Sequence, residues 1–311
     1  MKTVLISGCA GFIGQNLIYQ IIDRYKIIGV DNFYSSNQSN VKSFLNHKNF
    51  SFIESDIVNL NQIKTRLDYI INLACPASPP LYQKDPFFTL ETNYKGTLNL
   101  LNIARINDAI FIQASTSEVY GDPLNHPQSE NYFGNVNTMG NRSCYDEGKR
   151  CAETLFFDYH RQHNVNIKVA RIFNTYGPKM HPDDGRVVSN FIVQALLGKD
   201  ITIFGEGTQT RSFCYVDDLV TGIQLFMDSD NDFMGPVNVG NPNEFSILEL
   251  AKYVINLTSS KSKLIHKPLP QDDPKQRQPD IRLAKENLNW EPKIELSDGL
   301  KRTIEHFNRV L

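Results

Sequence analysis

The sequence lacks long hydrophobic runs and any marked excess of charge of one sign. Its 311 residues include 32 Lys and Arg against 34 Asp and Glu, which gives a formal net charge of −2. This balance gives no electrostatic reason to expect a nucleic acid or an anionic membrane as partner. No apolar stretch approaches the roughly 18 residues of a membrane span, and the first residues do not form a signal peptide. We therefore expect a cytoplasmic protein without a membrane anchor.

Paired cysteine motifs are also absent. The cysteines stand at positions 9, 75, 144, 151 and 214, an odd number with no C-x-x-C spacing. This pattern is typical of reduced thiols in the cytoplasm rather than of a disulfide framework. A zinc site would need clustered Cys or His, so we expect no metal centre.

The N-terminal half instead contains short apolar runs that alternate with longer amphipathic ones. The runs predict strands at 3–7, 26–30, 50–54, 69–73, 109–113 and 167–172, and the amphipathic segments predict helices at 12–24, 87–107 and 145–163. Strands rich in β-branched residues and separated by helices are typical of βαβ units. The fold class is therefore α/β, with a Rossmann-type, doubly wound parallel sheet.

Gly and Pro become denser after residue 172. They predict a long loop around 177–186 and an extended loop at 267–280, with helices at 187–197, 217–227, 247–257 and 296–309. We divide the chain into a Rossmann domain, residues 1–172, and a smaller C-terminal lobe, residues 173–311. Some segments of that lobe, about 205–240, are expected to return to the main sheet.

The first strand leads into a glycine-rich turn and then a helix. Gly8, Gly11 and Gly14 form a G-x-x-G-x-x-G pattern, which departs from the simplest dinucleotide spacing. Glycines at this turn allow a pyrophosphate to approach the backbone, where the helix N-terminus stabilises the anion. A glycine triplet alone can also be a purely structural turn.

Asp31 at the end of the second strand strengthens the dinucleotide interpretation. A carboxylate at this place accepts both hydroxyls of the adenosine ribose and repels a 2′-phosphate. The next residue is Asn32 rather than an arginine, so NAD is favoured over NADP. The alternative is that Asp31 only forms a turn.

A second cluster of polar residues follows the fifth strand. Thr116, Ser117 and Glu118 belong to the segment 114–121, ASTSEVYG, at the sheet edge where open α/β folds bind ligands. Tyr145 and Lys149 lie four residues apart and therefore share a helix face. Lys149 and a positively charged nicotinamide are expected to lower the pKa of the Tyr145 phenol, so that it can act as a base on a sugar hydroxyl. An exposed Tyr–Lys pair is the alternative.

The order of these motifs resembles that of extended short-chain dehydrogenase/reductases that act on nucleotide sugars, the NAD-dependent epimerase/dehydratase family. Longer segments are more specific, and the set is similar to the UDP-glucuronate decarboxylases, also called UDP-xylose synthases. The resemblance covers nearly the whole chain, and its segments are 74–79, 142–150, 170–178, 184–191, 210–218 and 270–277.

The resemblance implies a carboxy-lyase that converts UDP-glucuronate to UDP-xylose and CO₂ through a 4-keto sugar, with NAD recycled in place. It implies that the Rossmann domain binds NAD and that the C-terminal lobe mainly binds the UDP-sugar. Catalysis is assigned to Thr116, Ser117, Glu118, Tyr145, Lys149 and Arg277. NAD binding is assigned to Gly8, Gly11, Phe12, Ile13, Gly14, Asp31, Asn32, Asp56, Ile57, Leu73, Ala74, Tyr145 and Lys149. Substrate binding is assigned to Pro76, Tyr82, Glu118, Asn174, Arg186, Val188, Arg211, Gln271 and Arg277.

Ser117 argues against a related reaction, that of the 4,6-dehydratases. By resemblance these enzymes carry Asp-Glu where this chain has Ser117 and Glu118, because an acid must expel the C6 hydroxyl. Serine is a poor acid. Three alternatives stay open from the sequence: a UDP-glucuronate 4-epimerase, an oxidative decarboxylase that releases the 4-keto pentose and NADH, and a catalytically idle NAD-binding regulator.

The two long helices at 87–107 and 145–163 form a four-helix interface between protomers in enzymes of this family. The resemblance therefore implies a homodimer. The alternative is that both helices only cover the sheet.

Overall fold

The computed structural model describes residues 1–269 and 276–311, and a parallel sheet forms its centre. Its strands are β1 Thr3–Ser7, β2 Lys26–Asp31, β3 Phe50–Glu54, β4 Tyr69–Asn72, β5 Ile110–Thr116, β6 Ile167–Ile172, β7 Thr175–Tyr176, β8 Ile201–Phe204, β9 Thr210–Ser212, β10 Cys214–Tyr215, β11 Val237–Val239, β12 Glu244–Ser246 and β13 Leu264–Lys267. The main sheet has seven parallel strands in the order β3-β2-β1-β4-β5-β6-β11. This is the Rossmann order with one added edge strand, so the predicted fold class is confirmed.

Helices cover both faces of the sheet. They are α1 Phe12–Ile21, α2 Lys42–Leu45, α3 Pro79–Lys84, α4 Pro86–Glu91, α5 Thr97–Asn107, α6 Ser143–His163, α7 Val187–Leu196, α8 Val216–Asp228, α9 Ile247–Thr258, α10 Arg282–Leu288 and α11 Leu296–Val310. The central strands are apolar on both faces; all five residues of β1 are buried. Burial on both faces is what a parallel sheet between helices requires.

The predicted long helix at 87–107 is interrupted. A π-helical turn, Thr92–Gly96, separates α4 from α5. At Gly96 a Cβ would lie 2.5 Å from Cδ1 of Ile57, so only glycine lets the helix approach this closely. The turn also places Asn93 so that its Nδ2 donates to Sγ of Cys75, 3.0 Å away. Such a turn inserts one residue without breaking the helix, so the hydrophobic pattern does not reveal it.

Several element ends differ from the prediction. Helix α1 ends at Ile21 rather than at residue 24, and β5 extends to Thr116. Helix α10 and the short strands outside the main sheet were not predicted. Those strands pair two by two as β7 with β10, β9 with β12, and β8 with β13. Each has only two to four residues, too few to show a hydrophobic period.

The segment 205–240 contributes strands both inside and outside the main sheet. Its last strand, β11, joins the main sheet beside β6, whereas β9 and β10 pair outside it. The division of the chain near residue 172 stays a prediction.

Candidate active site

A cavity of about 800 Å³ opens at the carboxyl ends of the central strands. Every predicted site residue that the structure describes lines this cavity, although the residues come from segments as distant as the first turn and position 277. Gln271 lies outside the described residues. The lining includes Gly8, Gly11, Phe12, Ile13, Gly14, Asp31, Asn32, Asp56, Ile57, Leu73, Ala74, Pro76, Tyr82, Thr116, Ser117, Glu118, Tyr145, Lys149, Asn174, Arg186, Val188, Arg211 and Arg277.

The glycine turn forms the floor of one half of the cavity. Gly8 has φ +69°, and a Cβ there would lie 2.7 Å from the backbone carbon of Leu73. A Cβ on Gly14 would lie 2.4 Å from the carbonyl oxygen of Gly8. Both positions therefore require glycine, and the N-terminus of α1 faces the cavity behind them. A pyrophosphate fits this environment, because the approach is open and the helix end stabilises an anion.

Two carboxylates lie in the same half of the cavity. Asp31 is buried; its Oδ2 accepts from the Ala10 amide at 2.9 Å, and its Oδ1 accepts from the Phe33 amide at 2.9 Å. Burial raises the pKa of Asp31, against the effect of these hydrogen bonds. Asp56 accepts from Nδ2 of Asn32 at 2.8 Å. The two carboxylates hold the loop after β2 and place hydrogen-bond acceptors in this part of the cavity.

Tyr145 and Lys149 project from the first turns of α6 towards the end of β5. Both are buried, and Nζ of Lys149 lies 5.8 Å from the centre of the Tyr145 ring. Lys149 donates to the carbonyl oxygen of Ala114 at 2.9 Å, and burial lowers its pKa. The Tyr145 hydroxyl forms a hydrogen bond with Thr116. The structure therefore brings Thr116 close to the predicted Tyr145–Lys149 pair.

The expected lowering of the Tyr145 pKa is not found in the protein alone. Burial raises the pKa of Tyr145, and the hydrogen bond with Thr116 only partly offsets this. Lys149 is itself desolvated and bonds a backbone carbonyl. A further positive charge in the cavity would favour the phenolate.

Glu118 lies at the centre of a buried ion cluster. Its Oε2 accepts from Nη2 of Arg142 at 2.5 Å and from Nη2 of Arg277 at 3.3 Å. Burial works to raise the pKa of Glu118, but the two guanidinium groups outweigh it and hold the pKa well below its usual range. Glu118 is therefore ionised at neutral pH.

Arg277 is the most enclosed charge of this cluster, with 1% of its side chain exposed. It donates to the carbonyl oxygen of Ser117 and, at 3.0 Å, to that of Gly121. These bonds attach the loop around position 277 to the turn after β5. Its Nε is buried with no hydrogen-bond partner among the described residues.

Other buried polar atoms around the cavity also lack a hydrogen-bond partner. Among the described residues, the hydroxyls of Ser78 and Tyr82 have none. The Tyr82 ring stacks on the Tyr145 ring, with centroids 5.0 Å apart and planes 8° apart. Buried polar groups are normally hydrogen-bonded, so these atoms indicate where a polar ligand binds.

The predicted arginines of the other wall have protein partners. Arg186 pairs with Asp184 through two hydrogen bonds of 2.5 and 2.8 Å, and it begins α7 next to Val188. Arg211 is buried, and its Nη1 donates to the carbonyl oxygen of Thr210 at 2.8 Å. Asn174 lies between β6 and β7, in the same wall.

Arg142 and Cys75 line the cavity but were not assigned a role from the sequence. Arg142 stands three residues before Tyr145, so its nearness to the Tyr–Lys motif was the available signal. Its pairing with Glu118 across 24 positions was not visible in the sequence. Cys75 stands in the predicted loop after β4 beside Pro76, and only the structure brings it to Asn93.

No group of three or more His, Cys, Asp and Glu side chains in ranges 1–269 and 276–311 could hold a metal ion. No helix in those ranges has both the length and the apolar character that a membrane crossing requires.

Comparison with known proteins gives matches along nearly the whole chain. Residues 5–303 match the family model described as GDP-mannose 4,6 dehydratase. UDP-glucuronic acid decarboxylase 5 of Arabidopsis thaliana is 51% identical over 98% of this chain and 89% of that protein. UDP-glucuronic acid decarboxylase 1 of Danio rerio is 50% identical over 100% of this chain and 73% of that protein.

Solved structures give the same fold with lower identity. The UDP-glucuronic acid 4-epimerase of Bacillus cereus, in complex with UDP-glucuronic acid and NAD, has a TM-score of 0.89 and 28% identity, over 99% of this chain and 100% of that one. The UDP-glucose 4-epimerase of Thermotoga maritima has a TM-score of 0.89 and 29% identity, over 99% of both chains.

Proposed function

Because this chain belongs to the extended short-chain dehydrogenase/reductase family that includes the UDP-glucuronic acid decarboxylases, we propose that it decarboxylates UDP-glucuronate to UDP-xylose and CO₂. The observation that carries this proposal is the cluster of Glu118, Arg142 and Arg277 beside the Tyr145–Thr116 pair. It places a group able to take the proton of a sugar hydroxyl beside cations able to receive a sugar carboxylate. The chain is 50–51% identical to the two UDP-glucuronic acid decarboxylases, but only 28–29% identical to the two 4-epimerases whose solved structures have the same fold.

NAD fits the first half of the cavity. The cradle of Gly8, Gly11 and Gly14 would hold the pyrophosphate, and Asp31 would accept the ribose hydroxyls. Asp56 and Ile57 would border the adenine, and Tyr145 and Lys149 the nicotinamide ribose. When bound, NAD⁺ would supply the hydride acceptor for the oxidation at C4 of the sugar and, as NADH, the hydride for the reduction that follows. Its nicotinamide would also supply a positive charge that favours the Tyr145 phenolate.

The protein's own groups perform the proton chemistry. Tyr145 takes the proton of the C4 hydroxyl, with Thr116 as its hydrogen-bond partner, and C4 becomes a ketone. The carboxylate on C5 is then β to that ketone, so loss of CO₂ leaves an enolate rather than an unstabilised carbanion. Thr116 and Tyr145 stabilise the oxygen anion at C4. After C5 is protonated, Tyr145 returns its proton to the C4 oxygen.

Substrate binding would use the arginines and the buried polar atoms that lack a hydrogen-bond partner among the described residues. Arg186 and Arg211 would bind the diphosphate, because a guanidinium group offers two parallel donors to phosphate oxygens. Asn174, Val188 and Gln271 would complete the nucleotide site. The hydroxyls of Ser117 and Tyr82, the rigid segment at Pro76 and the Nε of Arg277 would surround the sugar.

We also propose that the chain forms a homodimer through α4, α5 and α6. Phe87 and Leu90 on α4 and Tyr94 in the π turn are exposed, with 81%, 41% and 52% of their surface accessible. These side chains lie on helices that pack against α6. Pairing with a second copy would bury them. We place the protein in the cytoplasm, which agrees with five free cysteines.

The test is mass analysis of the products formed from UDP-glucuronate with trace NAD⁺, while NADH absorbance is followed. We expect a UDP-pentose with no lasting NADH. An unchanged mass with an inverted C4 would mean a 4-epimerase, and a 4-keto pentose with equivalent NADH would mean that hydride is not returned. Tyr145→Phe should abolish turnover and still bind NAD⁺, since the ring that stacks on Tyr82 is kept. Full activity of that variant would contradict the assignment.

A further inference from the structure

Arg277 can receive the sugar carboxylate only if its backbone is held at a fixed place beside the turn after β5. Its side chain donates to the carbonyl oxygens of Ser117 and Gly121, which are 160 and 156 positions away in the chain. Its own carbonyl oxygen accepts from the Ser212 amide at 3.2 Å. The contacts that hold the residues after Arg277 therefore decide where its guanidinium group lies.

Gln128 holds the backbone that follows Arg277. The Gln128 Oε1 accepts from the Gln278 amide, and the Gln128 amide donates to the Gln278 carbonyl oxygen, both at 2.8 Å. The Gln128 carbonyl oxygen accepts from the Asp280 amide, also at 2.8 Å. Gln128 is buried, so water does not compete for these bonds. The residues 278–280 thus form a short parallel ladder with Gln128.

The side-chain amide of Asn238, the middle residue of β11, holds both sides of this ladder. Its Nδ2 donates to the carbonyl oxygen of Gln128 at 2.9 Å and to that of Asp280 at 3.0 Å. Asn238 is buried, and β11 belongs to the main sheet. One side chain therefore fixes the ladder beside Arg277 to the central sheet.

The same amide also holds the turn that carries Glu118. Its Oδ1 accepts from the Tyr120 hydroxyl at 2.7 Å, and Tyr120 is the last residue of the 3₁₀ turn Ser117–Tyr120. Both donors and the acceptor of the Asn238 amide are thus used, so the amide cannot rotate without breaking one of these bonds. Asn238 therefore bonds to both of the segments whose side chains, Glu118 and Arg277, pair in the cavity.

We propose that Asn238 is a positioning residue for recognition of the sugar carboxylate. It sets the place of Arg277 relative to Glu118, so that the guanidinium group faces the carboxylate in a geometry suited to hydrogen bonding. Asn238 and Tyr120 are not among the described residues that line the cavity, so both act through Arg277 and Glu118 rather than on the sugar. The inference rests on the proposed function, which makes UDP-glucuronate the ligand.

Binding measurements test this role without turnover. Asn238→Leu, Tyr120→Phe and the control Asn99→Leu are each combined with Tyr145→Phe, and thermal unfolding checks that each protein is folded. The Kd values of UDP-glucuronate and of UDP-glucose are then measured by calorimetry with NAD⁺ present. UDP-glucose has a hydroxymethyl group where UDP-glucuronate has the carboxylate. The ratio of the two Kd values therefore isolates recognition of the carboxylate.

We expect Asn238→Leu to raise the Kd of UDP-glucuronate about tenfold, as for loss of one hydrogen bond to a charged group, and that of UDP-glucose by less than about twofold. Tyr120→Phe frees only the turn that carries Glu118 and should raise the Kd of UDP-glucuronate about threefold. Asn99 likewise donates to two carbonyl oxygens, those of Ile57 and Val58 at 3.0 and 2.8 Å. Asn99→Leu should leave the ratio of the two Kd values unchanged.

An unchanged ratio in Asn238→Leu, or an equal loss of affinity for both sugars, would overturn the inference, because Asn238 would then have a structural role only. If Asn238→Leu does not fold, Tyr120→Phe decides, since it loses a single hydroxyl; a selective rise supports the inference and an unchanged ratio overturns it. Failure of the wild type to form a UDP-pentose would instead overturn the proposed function. The two failures are distinguishable, because the ratio is measured without turnover.

Discussion

The pairing of Arg142 with Glu118 predicts a specific loss of stability when the cation is removed. Arg142→Met keeps the length of the side-chain stem and deletes the charge. The two side chains are only 16% and 17% exposed, and their nearest N and O atoms are 2.5 Å apart. At an effective dielectric constant of about 20, charges about 4 Å apart attract by about 4 kcal/mol. Arg277, 3.3 Å from Glu118, still compensates part of the Glu118 charge. We therefore expect the free energy of unfolding to fall by about 3 kcal/mol, the lower end of the range for a broken buried ion pair.

The pH dependence of that loss follows from the direction of the Glu118 pKa. The folded-state pKa is depressed, so Glu118 contributes stability above its unfolded pKa of about 4.3. That contribution disappears as the pH falls through the folded pKa. Without Arg142 the pKa of Glu118 in the folded state rises, so Glu118 contributes less to stability. The difference in stability between wild type and Arg142→Met should therefore be largest at neutral pH and should narrow on acidification.

Urea unfolding of four proteins measures this coupling: wild type, Arg142→Met, Glu118→Gln and the double variant. In the double variant no unpaired carboxylate stays buried, so the losses of the two single variants should not add. Arg161→Met is the control, because Arg161 pairs with Asp158 at the exposed end of α6 and should lose less than about 1 kcal/mol. Additive losses, or a loss from Arg142→Met that is the same at every pH, would refute the reasoning.

Three further changes test the other parts of the proposal. Glu118→Gln should lower kcat by about 100-fold with NAD⁺ affinity unchanged, measured by calorimetry; equal turnover would remove Glu118 from the mechanism. Gly14→Ala should weaken NAD⁺ binding by at least about tenfold, because its Cβ would meet the Gly8 carbonyl at 2.4 Å and the turn must shift; unchanged affinity would count against the cradle. Phe87→Glu should give a monomer by light scattering, whereas Phe133→Glu, at a position 88% exposed outside the helices, should not; a dimer in both would contradict the interface.

The sequence predicted the first half of the fold well because central strands such as β1 are apolar runs buried on both faces. β1, β3 and β6 begin and end at the predicted residues. Prediction failed where structure depends on contacts between distant residues. The π turn depends on Gly96 meeting Ile57, and β9 exists because it pairs with β12.

In the candidate site, too, local patterns could be predicted from the sequence, whereas contacts between distant residues could not. The glycine turn and the Tyr145–Lys149 pair are local patterns, so their chemistry could be deduced from spacing. Arg277 was assigned by resemblance, since nothing in its own segment indicates that it reaches the turn after β5. Arg142 stands three residues before Tyr145 in the sequence, yet its importance comes from its buried ion pair with Glu118. Burial and charge pairing are properties of the assembled cavity and cannot be deduced from a local pattern.

The ion cluster also gives a reason why this cavity would favour loss of CO₂ over simple oxidation. If Arg142 and Arg277 met the sugar carboxylate without a competing anion, they would stabilise it in the bound substrate and raise the barrier to decarboxylation. Both already bind Glu118, so the carboxylate is received by partly neutralised cations. Negative charge then moves from the carboxylate to the C4 oxygen, where Thr116 and Tyr145 are ready to stabilise it.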